Sequence, residues 1–300
     1  MENIIFIDVE DIDTMNLRIL YELTSTQFNT IQFLQHLKLL PTKTSEKESC
    51  KDKCNKWYLA YLGDTGDEDS LEMEVFFSKS KLSLRQIFEL MYCWAREIDS
   101  VSNLNHELRV LSSHTIVDWR NFCRDICAIY FCNNPQTIGD PDHTVEIDES
   151  AFGKRKYDKD RFIKTQWVFG GIDIDTRECF LVQVDKRGTA TLLPIIEKYI
   201  LPVTTIHLDE WRSNRALQNN PNYNHRTVNH FLNFVDPNTG VHTQNIQNTW
   251  MLVKKNHKKQ GGFSRSLLTS YLEEFMWRQR FDGEPLKNLI LQINSLYPVS

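Results

Sequence analysis

Asp148 and Asp209 are the first residues in this chain whose type and placement suggest chemistry. Each stands at the end of a short apolar, β-rich run, Thr144–Asp148 and Thr204–Leu208. If those two strands lie side by side, the two carboxylates converge. Paired hard oxygen ligands suit magnesium or manganese, and a two-metal site can activate a nucleophile and stabilise a leaving oxygen in phosphodiester chemistry. The chain has 40 acidic residues, so spacing alone also admits Asp173, Asp175 and Asp185, which read as polar residues of a hairpin.

The elements that must position these residues are legible from periodicity. Thr165–Ile174 and Glu178–Asp185 alternate as the arms of a hairpin across Asp175-Thr176-Arg177, and Thr191–Ile200 is apolar at helical spacing. Thr227–Val235 supplies a last strand or helix–strand piece. Gln244–His257 and Ser264–Arg280 read as closing helices. Three antiparallel strands, a helix and a further strand form the opening of a ribonuclease H-like fold, an α/β class with a mixed sheet and flanking helices.

Upstream the texture is mostly helical. Two short helices are expected between Met15 and Leu40, ended by Pro41. Leu82–Cys132 reads as three helices, with N-caps at Ser83 and at Ser112 or Ser113. They are compatible with a helix-turn-helix presenting His114, Arg120 and Arg124 to a DNA groove, or with generic three-helix packing. One face of the last helix is expected to hold Ile116, Val117, Trp119, Phe122 and Ile126. The boundary falls at the Asn133-Asn134-Pro135 and Gly139-Asp140-Pro141 breaks. The expected domains are therefore 1–80, 81–135, 140–283 and a C-terminal tail, 284–300.

Composition bounds the answer further. A chain of 300 residues with 41% hydrophobic and 25% charged residues is an ordinary globular protein. No apolar run is long enough for a membrane span and the first residues lack a secretory pattern, so a cytosolic or nuclear setting is expected. Seven cysteines, an odd number, do not suggest a secreted disulfide framework. Cys50 and Cys54 lack a second ligand pair, so a closed zinc site is not expected. Residues 1–80 hold 15 acidic against 8 basic side chains, within a net charge of -5. Basic residues gather downstream at Lys154, Arg155 and Lys156 and again at Lys254, Lys255 and Lys258. Each run is a solvated face or a phosphate-binding track. Lys254 and Lys258 share a helix face.

Several stretches resemble one family. Val145-Glu146-Ile147-Asp148-Glu149-Ser150-Ala151-Phe152-Gly153-Lys154-Arg155-Lys156 with Trp167-Val168-Phe169-Gly170-Gly171, then His207-Leu208-Asp209-Glu210-Trp211-Arg212, Val228-Asn229-His230, His242–Trp250 and Tyr271–Arg278 resemble, in order, the DDE transposase domain of Merlin-type elements. Their bacterial ISXO-like insertion-sequence relatives share the pattern. The resemblance implies Asp148 and Asp209 as metal-binding catalytic residues and Gln247 at the third catalytic position, where the family has glutamate. It also implies DNA contacts by Lys154, Arg155, Lys156, Lys254, Lys255 and Lys258, a DNA-contacting helical region, and a degenerate zinc-ribbon-like segment around Cys50 and Cys54. His230 and His242 become candidates for metal or phosphate contact. The expected function is metal-dependent DNA cleavage and strand transfer with Mg or Mn, impaired by Gln247, and the alternative is a catalytically silent DNA-binding protein. DNA, a possible homo-oligomer, no membrane and a nuclear location (cytoplasmic in a host without a nucleus) complete the expectation.

Overall fold

The computed structural model describes residues 5–42, 80, 82–98, 100–110, 112–153, 165–209, 221–228, 241–259 and 265–299. The chain divides into two compact units, one of residues 1–126 with 281–300, the other of residues 127–280.

In the first unit the helices are α1 (Leu17–Leu23), α2 (Gln27–His36), α3 (Leu84–Ala95), α4 (Val101–Glu107) and α5 (Ser113–Asn133), which continues into the second unit. Ser83 starts α3 with a reciprocal capping box: its hydroxyl accepts the Gln86 N–H and the Gln86 side chain accepts the Ser83 N–H. Two orphan donors of the first turn are thereby satisfied. Residues 284–300, expected as a tail, instead contain helix α9 (Pro285–Leu296), which buries Leu286, Leu289, Ile290 and Ile293 in this unit. Asp13 fixes its start by accepting the N–H groups of Leu286 and Lys287 at 3.1 and 2.9 Å. The expected face of α5 also shifts. Ile116, Trp119, Cys123, Ile126 and Cys127 are buried, while Val117 and Phe122 are exposed. Arg124, a groove-facing candidate if these helices form a helix-turn-helix, is only 3% exposed and donates to Asn121.

The second unit is built on a five-stranded sheet in the order β3-β2-β1-β4-β5. Its strands are β1 (Thr144–Phe152), β2 (Gln166–Asp173), β3 (Cys179–Val184), β4 (Thr205–Asp209) and β5 (Asn224–Val228). β1–β2 and β2–β3 are antiparallel; β1–β4 and β4–β5 are parallel. Helix α6 (Thr189–Tyr199) makes the crossover from β3 to β4, and α7 (Gln244–Lys259) and α8 (Leu268–Arg280) follow the sheet. This mixed sheet with flanking helices has the ribonuclease H-like order expected from the sequence. β1 runs four residues beyond the expected strand, and β5 begins upstream of the expected Thr227. The Cys50–Cys54 segment lies outside the described residues.

Strand alternation sorts the side chains between two cores. Val145, Ile147, Phe169, Ile206 and Leu208 pack with Leu192 and Ile196 of α6. Phe152, Val168, Ile172 and Leu181 pack with Ile246, Trp250 and Val253 of α7 and Leu268 and Leu272 of α8. In β1, therefore, the odd positions 145 and 147 face α6. Positions 146, 148, 150 and 152 face α7, and Asp148 is among them.

Candidate functional site

Asp148 lies in the middle of β1, half-buried, with its Oδ1 accepting the N–H of Glu149 at 2.8 Å. The parallel register pairs Glu146 with His207. Continued by two residues, that register sets position 209 beside position 148, and Asp209 is the last residue of β4. Ile206 and Leu208 belong to the α6 core, so position 207 lies on the same face of the sheet as 146 and 148. Gln247 is half-buried in the first turn of α7, where its N–H donates to the Thr243 carbonyl at 3.2 Å.

α7 is fastened along β1 at two points. At its start, the fully buried Glu146 carboxylate accepts the N–H groups of Asn245 and Ile246 at 2.7 and 3.0 Å and the Asn245 side-chain amide at 2.7 Å. His242 Nδ1 approaches the same carboxylate at 3.2 Å. A negative charge at a helix N-terminus meets both unsatisfied N–H groups and the positive end of the dipole. Further along, Lys254 Nζ donates to Ser150 Oγ at 2.6 Å and lies 5.5 Å from the Phe152 ring centroid. Between these two fastenings Trp250 is buried against the sheet, as its apolar neighbours suggested.

His207 lies on β4. Burial pushes its pKa below the usual histidine value, against the pull of the Glu146 charge. Among the described residues its buried Nδ1 has no hydrogen-bond partner.

The donors at positions 148, 209 and 247 are, by residue type, two carboxylates and a primary amide. All offer hard oxygen, which fits magnesium or manganese and leaves one negative charge fewer than a three-carboxylate set. A second acidic group, His143, Asp173 and Asp175, brings its ligand atoms within 4.8 Å of one another. Both oxygens of Asp173 and one of Asp175 accept hydrogen bonds. Asp173 Oδ1 accepts the N–H groups of Asp175 and Thr176, and Oδ2 accepts the N–H of Gly139 and His143 Nδ1. Asp175 accepts the Thr144 N–H at 3.1 Å. This cluster locks the β2–β3 turn to the start of β1, in keeping with the hairpin role expected for Asp173 and Asp175.

Of the other expected site residues, Lys255 and Lys258 are exposed on α7, whereas Lys154, Arg155, Lys156, His230 and the side chain of Asp209 lie outside the described residues. Sequence reasoning passed over Glu146 and His207. The available signal was a charged residue alternating with aliphatics, in Val145-Glu146-Ile147-Asp148, inside a strand buried on both faces.

Residues 142–280 match the family model described as ISXO2-like transposase domain. A transposase-like protein of Haemophilus influenzae is 28% identical over 117 residues, covering 39% of this chain and 91% of that protein. Among solved structures, the catalytic core domain of HTLV-2 integrase in complex with magnesium aligns at 12% identity over 46% of this chain and 84% of its own, with a TM-score of 0.30. The Mos1 mariner paired end complex with Mn aligns at 14% identity over 96% and 98%, with a TM-score of 0.28. These overlays are loose, and the sheet order stands on its own hydrogen bonds.

Proposed function

We propose that this protein is a transposase of the Merlin and ISXO-like kind, built for metal-dependent DNA cleavage and strand transfer, whose turnover is reduced by Gln247. One relationship supports the reading: β1 and β4 are parallel neighbours with Glu146 opposite His207, two residues before Asp148 and Asp209, and the Glu146 carboxylate holds the first turn of α7, two residues before Gln247.

In this reading Asp148 and Asp209 hold the divalent cation, Mg or Mn, and Gln247 offers it an amide oxygen. The cation would polarise the scissile phosphate and stabilise the departing oxygen. Lys254, held between Ser150 and Phe152, lies on the α7 face that continues from Gln247 and orients a phosphate. Lys255 and Lys258 extend that contact along the DNA, and Lys154, Arg155 and Lys156 add a second basic stretch. Gln247 cannot accept a proton as glutamate can, and it contributes no charge. The chain's own residues thus bind and align DNA in full while its cation is held less firmly.

The helical region upstream is read as a DNA-contacting module with a degenerate zinc-ribbon-like segment, and the working form as a homo-oligomer on DNA. A nuclear location, or a cytoplasmic one in a host without a nucleus, follows from that substrate. Among the described residues no helix is long and apolar enough to cross a membrane. Gln247 itself favours a second reading, a DNA-binding protein without strand-cleaving activity. Nicking of supercoiled DNA with manganese, measured for wild type, Asp148→Ala and Gln247→Glu, separates the two. Nicking by wild type that Asp148→Ala abolishes supports the enzyme; none by wild type, with DNA binding intact, supports the binder. None by Gln247→Glu as well overturns the cation-site reading.

A further inference from the structure

Each element carrying positions 148, 209 and 247 also carries, two residues earlier, a polar residue of one interior cluster. Glu146 precedes Asp148 on β1, His207 precedes Asp209 on β4, and Asn245 precedes Gln247 on α7. Glu146 and His207 are partners in the parallel pair. Glu146 also receives both the backbone and side-chain donors of Asn245. Glu146 therefore joins β1 to the first turn of α7 two residues before positions 148 and 247.

The two fastenings of α7 are matched in length. From Asn245 to Lys254 the helix climbs about 13 Å at 1.5 Å per residue. From Glu146 to Ser150 the strand advances about 13 Å. The helix thus runs in step with β1, and its phase is set where the carboxylate grips it. Position 247 is two helical residues from that grip, roughly 3 Å of rise, so a displacement of the first turn reaches it undiminished.

We infer that Glu146 is a positioning residue: by clamping the first turn of α7 to β1 it sets the separation of residue 247 from Asp148, and with it the cation affinity of the site. The inference rests on the function proposed above. It differs from simple stabilisation because another buried carboxylate in the same unit, Asp173, receives as many donors, none of them from α7.

The test uses the full chain carrying Gln247→Glu as the background, with manganese as the probe. Affinity is measured by calorimetry, Tm is measured without metal, and amide exchange is followed in α7. Adding Glu146→Gln, which keeps the shape and removes the charge, is expected to weaken manganese binding about 10- to 100-fold, the range for residues that orient metal ligands. It is also expected to speed exchange at the amides of residues 245 and 246. Adding Asp173→Asn is expected to lower Tm while leaving manganese affinity within about twofold, since it orients no ligand. Equal loss of affinity in both variants, or unchanged affinity in Glu146→Gln, overturns the positioning role. If the Gln247→Glu background binds no manganese, the functional reading fails, and exchange alone decides the clamp. Faster exchange confined to the first turn of α7 then upholds it, and unchanged exchange overturns it.

Discussion

Asp148 sits directly across from Gly170 in the antiparallel β1–β2 pair, and the hydrogen at position 170 is what lets Trp250 of α7 rest against the sheet. A Cβ built there would lie 2.8 Å from the Trp250 ring, 2.7 Å from Leu181 Cδ2 and 3.0 Å from the Phe180 carbonyl oxygen. The glycine fixes how near the helix bearing residue 247 comes to the strand bearing Asp148.

Gly170→Ala should therefore destabilise the second unit by about 1–3 kcal/mol, as overpacking does in a close-packed core. Trp250 must move, so its fluorescence should change with Tm. Unchanged Tm and emission would show that α7 is not seated as described.

Restoring a charge at position 247 should tighten manganese binding. Gln247→Glu turns a neutral oxygen donor into a carboxylate, and we expect an affinity gain of about tenfold or more, because ligand charge strongly tunes such sites. Calorimetry on the full chain reads it directly; equal affinities would show that the amide serves as well as the carboxylate.

Lys255 and Lys258 are predicted to bind phosphates. Replacing both by alanine should reduce the slope of log K against log salt on duplex DNA by about 0.9 for each phosphate that is no longer neutralised. A lower affinity with an unchanged slope would place these lysines off the DNA track.

The His143–Asp173 pair gives the second unit a bounded range of maximal stability. The bond to Asp173 raises the His143 pKa above 6.5, so its contribution is complete below that value and is lost as pH rises through the raised one. Burial opposes ionisation of Asp173, but His143 and two backbone N–H groups hold its pKa below 3.8. Its contribution is present above 3.8 and is lost as pH falls through the lowered value. Tm against pH should show both edges in wild type, and His143→Gln should remove the alkaline one.

The strands, the crossover helix and the helix bearing residue 247 were legible because alternation and helical spacing report burial directly. The burial of Arg124 was not legible because spacing defines a helix face without saying which neighbour covers it, and Trp119 with Cys123 turns that part of the helix inward. Glu146 was passed over for a different reason. Its partners Asn245 and Ile246 are about a hundred residues away in the chain, and no local pattern marks a carboxylate whose donors are that remote. The third candidate position rests on the motif resemblance alone, since Gln247 has no chemical signature of its own.

The return of α9 to the first unit dictates an order of events during synthesis. The second unit is an insertion, complete once residue 280 has emerged, while the first still lacks Leu286, Leu289, Ile290 and Ile293 from its interior. The ribonuclease H-like unit is thus made whole before the helical unit can close around its last helix. A chain stopped after residue 280 would display an unfilled apolar seam, which is bait for chaperones and proteases.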